Sequence, residues 1–261
     1  MLQALAEAVP GQGVRRSGSE IADASAAIAS GRRVRPLDLV IARAAGLQQL
    51  SVRRPRVRVV DIPAARGDAI TKQLISEIAR AAGADVVVTD AAGRDAASVA
   101  KALDTGGCDM LITIGGTGVG RSDATIAALA DCGEVVAHGV ALQPGRTTAV
   151  GKIGNTPVIA LPGAPDQALA AWWTLGLPVL DRLSGRRRRS RVTLPLTRKI
   201  ASSVGIAEVV LLEKAEGRWM PLAVGELSLD AIARADAWLA VSAGAEGYAA
   251  GDPIDAYMLR D

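Results

Sequence analysis

Short apolar segments alternate with amphipathic segments between residues 56 and 132. The apolar segments RVRVVDI, DVVVT and DMLITI have the length and composition of strands, and a segment with helical spacing follows each of them. In the first helical segment, one stripe carries the apolar residues Ile70, Leu74, Ile75, Ile78 and Ala82. Gly83 predicts a left-handed stop for that helix. The order βαβαβα, with continuous apolar strands, predicts a parallel sheet that helices cover on both faces.

Beyond residue 134 the pattern favours strands. The segments TTAVGKI and TPVIALPG, joined through Gly154 and Asn155, predict a hairpin, and a helix is expected after Pro165. From Ser190 onward, RVTLPLT, AEVVLLE, DAWLAVS and PIDAYML predict strands, with one short helix at LDAIARA. The predicted fold class is therefore α/β, with a three-layer doubly wound, mostly parallel sheet and a small C-terminal mainly-β domain.

This pattern predicts three regions along the chain. Residues 1–52 form an N-terminal arm and linker, residues 53–185 form the α/β domain, and residues 186–261 form the β domain, with the arginine run GRRRRSR as the hinge. Within the arm, RPLDLVIARAAG predicts a short helix that ends at a glycine. The apolar residues on one side of this helix are Leu37, Val40 and Ile41.

Composition and charge narrow the classes of partner. The formal net charge of +3 is small for 261 residues, and much of the positive excess lies in the arginine run. A nucleic-acid-binding protein usually spreads basic residues over one face, with aromatic side chains nearby. This sequence has neither feature, so we expect no nucleic-acid partner and favour an anionic small molecule as the ligand.

The cysteines and the apolar runs predict the compartment. Cys108 and Cys132 lack the spacing of a zinc site or a disulfide framework, which predicts buried free thiols in a reducing compartment. The N-terminus lacks a signal-peptide pattern, and the longest apolar run is shorter than the ~20 residues that span a bilayer. We therefore expect a cytoplasmic protein with no membrane partner. Trp172 and Trp173 are expected in the core or at an interface, and the single histidine, His138, at the surface or a strand end.

The segment LITIGGTGVGRSDAT, residues 111–125, carries the clearest chemical signal. It follows a predicted parallel strand, and open α/β sheets bind their ligands at the carboxyl ends of such strands. Successive glycines allow backbone N–H groups to converge, and the following helix adds the positive end of its dipole. We expect the amides of Gly115, Gly116, Thr117 and Gly118 to bind a phosphate group.

Besides phosphate binding, this loop has three alternative interpretations. A P-loop requires a lysine where Arg121 stands, and a second strand that ends in aspartate, which TPVIALPG does not. A dinucleotide-binding fingerprint requires a third glycine, which would also fall on Arg121. The third alternative is a glycine-rich turn without a ligand. The sequence favours an anion site and leaves these alternatives open.

Three ordered motifs resemble one known family. LITIGGTGVGRSDATIAAL, followed by VALQPGRTTAVGKIGNTPVIALPGAPDQALAAWW, resembles the molybdopterin molybdenumtransferases of the MoeA and gephyrin E-domain type. Their corresponding motifs read approximately SGGxSxGxxD, KPGKP and LPGNP. The glycine loop alone is also similar to the molybdopterin adenylyltransferases, of the MoaB and MogA type. The resemblance covers most of residues 10–261, and residues 1–52 would then be a remnant of the family's first domain.

The resemblance implies a ligand, a reaction and a set of site residues. Family members work as homodimers and insert molybdate into adenylylated molybdopterin, using Mg²⁺ and releasing AMP. The resemblance implies that Asp123 binds Mg²⁺ and acts in catalysis with Arg146, which would orient the oxyanion. Asp95 is either a further ligand or the N-cap of a helix. The residues implied to bind the cofactor are Gly115, Gly116, Thr117, Gly118, Gly120, Ser122, Asp95, Gln143, Pro144, Gly145, Pro162, Gly163, Ala164 and Pro165.

Several motif positions depart from the family. Gln143 replaces a lysine, Ala164 replaces an asparagine, and Asp68 is followed by Ala69 where the family has a Gly-Asp-Glu element. The predicted function is therefore a molybdopterin-binding protein of molybdenum cofactor biosynthesis, and the sequence leaves open whether the chain also inserts molybdate into adenylylated molybdopterin. The alternative is a non-catalytic carrier that keeps the fold and passes cofactor to a molybdoenzyme or to another cofactor-assembly protein.

Overall fold

The computed structural model describes residues 9–21, 28–63 and 70–259. It divides into two compact units, Met1–Val52 and Arg53–Asp261. Asp68 and Ala69, where the sequence departs from the family's acidic element, lie outside the described residues.

The first unit contains the predicted short helix, α1, at Pro36–Ala44. Its buried residues are not the predicted apolar side, since Leu37 and Val40 are exposed whereas Asp38 and Ala42 are buried. The reason is an ion pair, because Arg32 Nη2 donates to Asp38 Oδ1 at 2.6 Å. Hydrogen bonds from Arg35, with the nearby charge of Arg32, lower the pKa of Asp38 to about 2.

The second unit is built on a six-stranded sheet with strand order β2-β1-β3-β7-β6-β4. Its strands are β1 (Arg56–Asp61), β2 (Asp85–Asp90), β3 (Met110–Ile114), β4 (Glu134–His138), β6 (Ala149–Ile153) and β7 (Thr156–Leu161). Strands β2, β1, β3 and β7 are parallel, and the predicted hairpin of β6 and β7 adds an antiparallel extension. The predicted doubly wound, mostly parallel sheet is confirmed.

Helices cover both faces of this sheet. They are α2 (Ile70–Ala81), α3 (Ala96–Ala102), α4 (Thr125–Cys132), α5 (Pro165–Ala171) and α6 (Leu177–Leu183), with a π-helical turn (Trp172–Gly176) between the last two. Residues of α2 and α5 share one core cluster, whereas residues of α3 and α4 share another. Gly83 has the predicted left-handed conformation, with a φ of 105°, directly after α2.

A second six-stranded sheet follows the arginine run. Its strands are β5 (Leu142–Gln143), β8 (Arg191–Pro195), β10 (Ala207–Ala215), β11 (Arg218–Val224), β12 (Ala237–Val241) and β14 (Pro253–Met258). A small two-stranded sheet, β9 (Ile200–Ala201) with β13 (Gly247–Tyr248), and the predicted helix α7 (Leu229–Arg234) complete the region. This arrangement confirms a mainly β region after the α/β sheet.

Two strands of the second sheet depart from the prediction. Strand β11 was not predicted, because Pro221 weakens the strand signal, and the structure accommodates this proline on an edge strand beside a register shift at Leu211 and Leu212. Strand β5 lies within the predicted α/β domain but pairs with β10 of the second sheet. The chain therefore enters the second sheet before it completes the first.

The tryptophans lie in the core, as expected. Trp172 and Trp173 are 1% and 8% exposed, and the Trp173 ring stacks on Trp238 with 5.3 Å between ring centroids. The cysteine prediction is wrong, because Cys108 is half-buried and Cys132 is exposed, although both are free thiols. No helix among the described residues is long and apolar enough to cross a membrane.

Candidate anion-binding site

The glycine loop, residues 115–124, borders a cleft at the carboxyl ends of the parallel strands. The cleft has a volume of about 590 Å³. It is lined by Asp61, Ile62, Pro63, Thr71, Lys72, Asp90, Arg94, Ile114, Gly115, Gly116, Thr117, Gly118, Asp123, Thr147, Pro162, Gly163, Ala164 and Gln167. Most of these residues lie at the ends of β1, β2, β3 and β7 or in the loops that follow, which is where an open α/β sheet binds ligands, and the others come from α2, α5 and the loop before β6.

Three amides of the glycine loop are available to a ligand. Among the described residues, no acceptor is bonded to the backbone N–H of Gly116, Thr117 or Gly118. The amide of Gly115 donates to Leu161 O at 2.9 Å, which corrects the expectation that it would bind phosphate. The amide of Gly120 is also engaged, because it donates to Asp123 Oδ2 at 3.1 Å.

Gly116 is required by the conformation of the loop. Its φ of +65° lies in the left-handed region, and a Cβ at this position would overlap Thr125 Oγ1 at the start of α4. The Thr125 hydroxyl in turn donates to Gly115 O at 2.9 Å, which ties the loop to the first turn of the helix. A side chain at residue 116 would therefore displace the loop.

Two side chains hold the Thr117 residue of the loop. His138 Nε2 lies 3.0 Å from Thr117 O, and Thr147 Oγ1 lies 3.1 Å from Thr117 Oγ1. Because the bond to Thr117 O requires a donor, His138 Nε2 carries a proton in this arrangement. The C=O and N–H of one trans peptide point in opposite directions, so this bond directs the Gly118 N–H away from His138.

The charged groups of the cleft are paired with one another. Lys72 Nζ lies 2.6 Å from Asp90 Oδ1 and 3.4 Å from Asp61 Oδ2, and the hydrogen bond to Asp90 raises the pKa of Lys72 above its usual value. Across the cleft, Arg94 Nη2 lies 3.2 Å from Asp123 Oδ1. The lining of the cleft thus contains two cationic side chains. Lys72 pairs with two carboxylates and Arg94 pairs with one.

The described residues do not fit a Mg²⁺ site at Asp123. Both oxygens of this carboxylate are engaged, one by Arg94 and the other by the Gly120 amide. A protein Mg²⁺ site usually offers one or two carboxylates beside the substrate phosphates. Each Asp123 oxygen already accepts one hydrogen bond, so a Mg²⁺ ion would have to displace these partners or share the oxygens with them. Within residues 9–21, 28–63 and 70–259, no group of three or more His, Cys, Asp and Glu side chains is arranged to hold a metal ion.

Half of the predicted site residues lie elsewhere. Those that line the cleft are Gly115, Gly116, Thr117, Gly118, Asp123, Pro162, Gly163 and Ala164. Those that do not line it are Gly120, Ser122, Asp95, Gln143, Pro144, Gly145, Pro165 and Arg146. Arg146 instead lines a second cleft of about 450 Å³, with Gly139, Val140, Ala141, Val204, Gly205 and Ile206.

Two of these residues have structural roles. Asp95 is the N-cap of α3, where it accepts hydrogen bonds from Ser98 N at 2.9 Å and Ser98 Oγ at 2.6 Å, so its predicted capping alternative is the one observed. The hydrogen bonds from Ser98 lower its pKa. Pro165 occupies the first turn of α5, where its missing N–H has no helical partner to lose.

Sequence reasoning missed Asp61, Lys72, Asp90 and Arg94. Two strand sequences, RVRVVD and VVVTD, both end in aspartate, and the parallel register places Asp61 directly beside Asp90. Since neighbouring parallel strands end at the same edge, this repeated ending was a readable signal. Arg94 had no comparable signal, because its partner Asp123 lies on another loop.

A doubly wound sheet with a glycine loop beside a cleft at the strand ends is the arrangement in which open α/β domains bind ligands. Residues 63–182 match the family described as "probable molybdopterin binding domain", and this segment of the chain belongs to that family.

Curated relatives extend the similarity beyond this domain. The chain is 32% identical over 203 residues to molybdopterin molybdenumtransferase 2 of Mycobacterium tuberculosis, covering 69% of this chain and 49% of the relative. It is 23% identical over 286 residues to molybdopterin molybdenumtransferase 1 of the same organism, covering 99% of this chain and 67% of the relative. The chain thus spans about half the length of the first of these relatives.

Solved structures share the fold. A molybdenum cofactor biosynthesis protein from Pyrococcus furiosus superposes with a TM-score of 0.73 at 17% identity, covering 92% of this chain and 82% of the other. A molybdopterin biosynthesis MoeA protein from Pyrococcus horikoshii superposes with a TM-score of 0.71 at 22% identity, covering 90% of this chain and 62% of the other. At these identities the superpositions show a MoeA-like fold, within which residues 63–182 match the molybdopterin-binding domain family.

Proposed function

We propose that this chain binds molybdopterin, with the glycine loop holding its phosphate, as a step in molybdenum cofactor biosynthesis. The observation that carries the proposal is that Gly116, Thr117 and Gly118 line a cleft of about 590 Å³ and that their amides have no acceptor among the described residues. Convergent amides at the start of a helix favour an anion, and the cleft has the volume of a small-molecule site.

Each part of the cleft has a role in this binding. The three amides hold phosphate oxygens, while Lys72 and Arg94 add positive charge from the two sides. Thr71 Oγ1 donates to Gly163 O at 2.7 Å, which holds the turn after β7 in its position on the cleft wall. The pterin would extend along this turn, toward Ala164 and Gln167.

Calorimetric titration of the chain with molybdopterin tests the proposal. We expect saturable binding that is lost when Gly116 is replaced by valine, because the side chain displaces the loop. Binding that is unchanged in Gly116→Val, or no binding to the unmodified chain, would refute it.

Two observations favour the carrier over molybdate insertion as the activity. Arg146, the residue expected to orient the oxyanion, lines the second cleft, and the Asp123 carboxylate is engaged by Arg94. We therefore propose that the chain binds the cofactor without turnover and delivers it to a molybdoenzyme or an assembly protein. Incubation with adenylylated molybdopterin, molybdate and MgCl₂ tests this choice. No AMP release is expected, and AMP release that Asp123→Ala abolishes would establish insertion instead.

The resemblance also implies a homodimer, which we retain as part of the proposal. The chain aligns with 49% of molybdopterin molybdenumtransferase 2, so the rest of that relative has no counterpart in the alignment. Sedimentation equilibrium of the purified chain would measure its mass, with twice 26.7 kDa expected for the dimer and 26.7 kDa for a monomer.

A further inference from the structure

The three carboxylates that line the glycine-loop cleft already have cationic partners. Asp61 and Asp90 share the Lys72 ammonium, at 3.4 and 2.6 Å, and Asp123 pairs with Arg94 at 3.2 Å. The Lys72–Asp61 and Arg94–Asp123 pairs are partly shielded from solvent, whereas the Asp90 side chain is 64% exposed. Partial burial strengthens such pairs relative to exposed ones.

The register of β1 and β2 brings two carboxylates together beside Lys72. Asp61 and Asp90 are the last residues of β1 and β2, and the parallel pairing places them side by side. Two neighbouring carboxylates repel each other unless a positive charge lies between them. In this chain the charge is supplied by Lys72, from the first turn of α2, rather than left to an ion from solution.

Arg94 has a similar position on the opposite side of the cleft. Its Nη1 donates to Pro63 O at 3.0 Å and its Nη2 donates to Asp123 Oδ1 at 3.2 Å. The Arg94 Nε is buried and has no partner among the described residues. A guanidinium held beside the glycine loop by these contacts suits a phosphate group.

We propose that Lys72 and Arg94 supply the positive charge of this cleft, so that a phosphate-bearing ligand binds there without a divalent cation. This inference rests on the proposed function, because it concerns the same cleft and the same ligand. It differs from what the family resemblance implies, since Mg²⁺ was expected at Asp123. The carboxylates act as positioning groups that hold the two cations toward the bound phosphate.

Calorimetric titration of the full chain with molybdopterin, in EDTA and separately in excess MgCl₂, tests the inference. We expect the two Kd values to agree within about threefold, which is a small difference on the scale where tenfold is 1.4 kcal/mol. Binding that requires MgCl₂, or that tightens more than about tenfold with it, would overturn the inference while leaving the proposed function intact. No binding in either buffer would refute both.

Removing either cation should create a dependence on metal. In Lys72→Gln and Arg94→Gln, we expect the affinity in EDTA to fall about tenfold, as for loss of a charged hydrogen-bond donor. MgCl₂ should restore part of this loss, because the freed carboxylates then accept a metal ion. Affinity in EDTA that is unchanged in both variants would overturn the inference.

A matched control lies on the same helix. Arg80 pairs with Glu77 at 2.9 Å on α2, outside the residues that line the cleft. Arg80→Gln should therefore leave both Kd values unchanged. Lys72→Arg and Arg94→Lys, which retain the charge, should bind in EDTA with less loss than the glutamine variants. Equal losses in the charge-retaining and glutamine variants would contradict a role for the charge itself.

Discussion

Two loops of this chain carry motifs expected at one site, and the structure places them in contact but mainly beside different clefts. The glycine loop follows β3 of the parallel sheet, and three residues of this loop that line the cleft have amides without an acceptor in the described part of the chain. The QPGRT loop, residues 143–147, begins on β5, which pairs with β10 of the second sheet. Its Arg146 lines the second cleft, and only Thr147 reaches the first, through its hydroxyl contact with Thr117.

The difference shows what determines a binding loop in this fold. A loop at the carboxyl end of a central parallel strand is directed toward the cleft by the sheet itself. A loop that begins on a strand of another sheet follows the geometry of that sheet, even when its motif resembles a site motif. We therefore expect ligand binding to depend strongly on the glycine loop and weakly on the QPGRT loop.

Alanine at one left-handed glycine of each loop should distinguish the two loops most clearly. Gly116 and Gly145 have φ values of +65° and +119°, so alanine at either should lower the free energy of unfolding by about 1–3 kcal/mol. Gly116→Ala should also reduce molybdopterin affinity more than about tenfold, whereas Gly145→Ala should change it less than about threefold. Urea denaturation and calorimetric titration measure the two quantities. Equal losses of affinity would remove the distinction between the loops.

The second-largest expected difference is between the molybdopterin affinities of variants at Arg94 and Arg146. Arg94→Gln removes a charged donor from the glycine-loop cleft, and we expect a loss of about 1.5 kcal/mol or more in binding free energy. Arg146→Gln should change the affinity less than about threefold, because Arg146 lines the other cleft. Calorimetric titration of both variants in one buffer makes the comparison. A larger loss for Arg146→Gln would assign the ligand to the second cleft.

His138→Phe should reduce molybdopterin affinity by a smaller factor, through its effect on the glycine loop. The lost hydrogen bond to Thr117 O is a neutral one, for which about 0.5–1.5 kcal/mol is expected, so the affinity should fall by several-fold. His138→Gln, which retains an N–H donor, is the matched control and should recover part of the loss. If both variants bind as the unmodified chain does, the histidine has no part in orienting the 117–118 peptide.

The smallest expected effect is on the pH dependence of the free energy of unfolding. Ion pairing raises the pKa of Lys72 above 10.5, so its contribution to stability is fully present below that pH and is lost as pH rises through the higher folded-state value. Urea denaturation of the unmodified chain and Lys72→Gln should differ by about 0.5–1 kcal/mol at neutral pH, and this difference should shrink above pH 10.5. Arg146→Gln should leave the pH dependence unchanged. A difference that grows with pH would contradict the pairing.

The parts of the fold that depend on local pattern were predictable. The βαβαβα order, the hairpin at Gly154 and Asn155, and the N-cap alternative for Asp95 all follow from the spacing of apolar, glycine and capping residues. The glycine loop was predictable for the same reason, because its glycines follow a buried strand. These features can be predicted from neighbouring residues alone, without knowledge of contacts between distant residues.

The remaining features depend on contacts between distant residues. The Lys72 pair with Asp90 and the Arg94 pair with Asp123 span 18 and 29 positions, and nothing in the local sequence links their members. The edge position of β11, which tolerates Pro221, and the pairing of β5 with β10 likewise depend on the completed second sheet. Motif order alone therefore grouped Arg146 with a cleft that it does not line.

The most direct test of the account is an amide NMR titration of the labelled chain with molybdopterin. The account predicts that the N–H resonances of Gly116, Thr117 and Gly118 shift progressively and saturate, whereas those of Gly145 and Arg146 move little. Shifts confined to the QPGRT loop, with the three glycine-loop amides unchanged, would contradict the claim that these amides hold the phosphate.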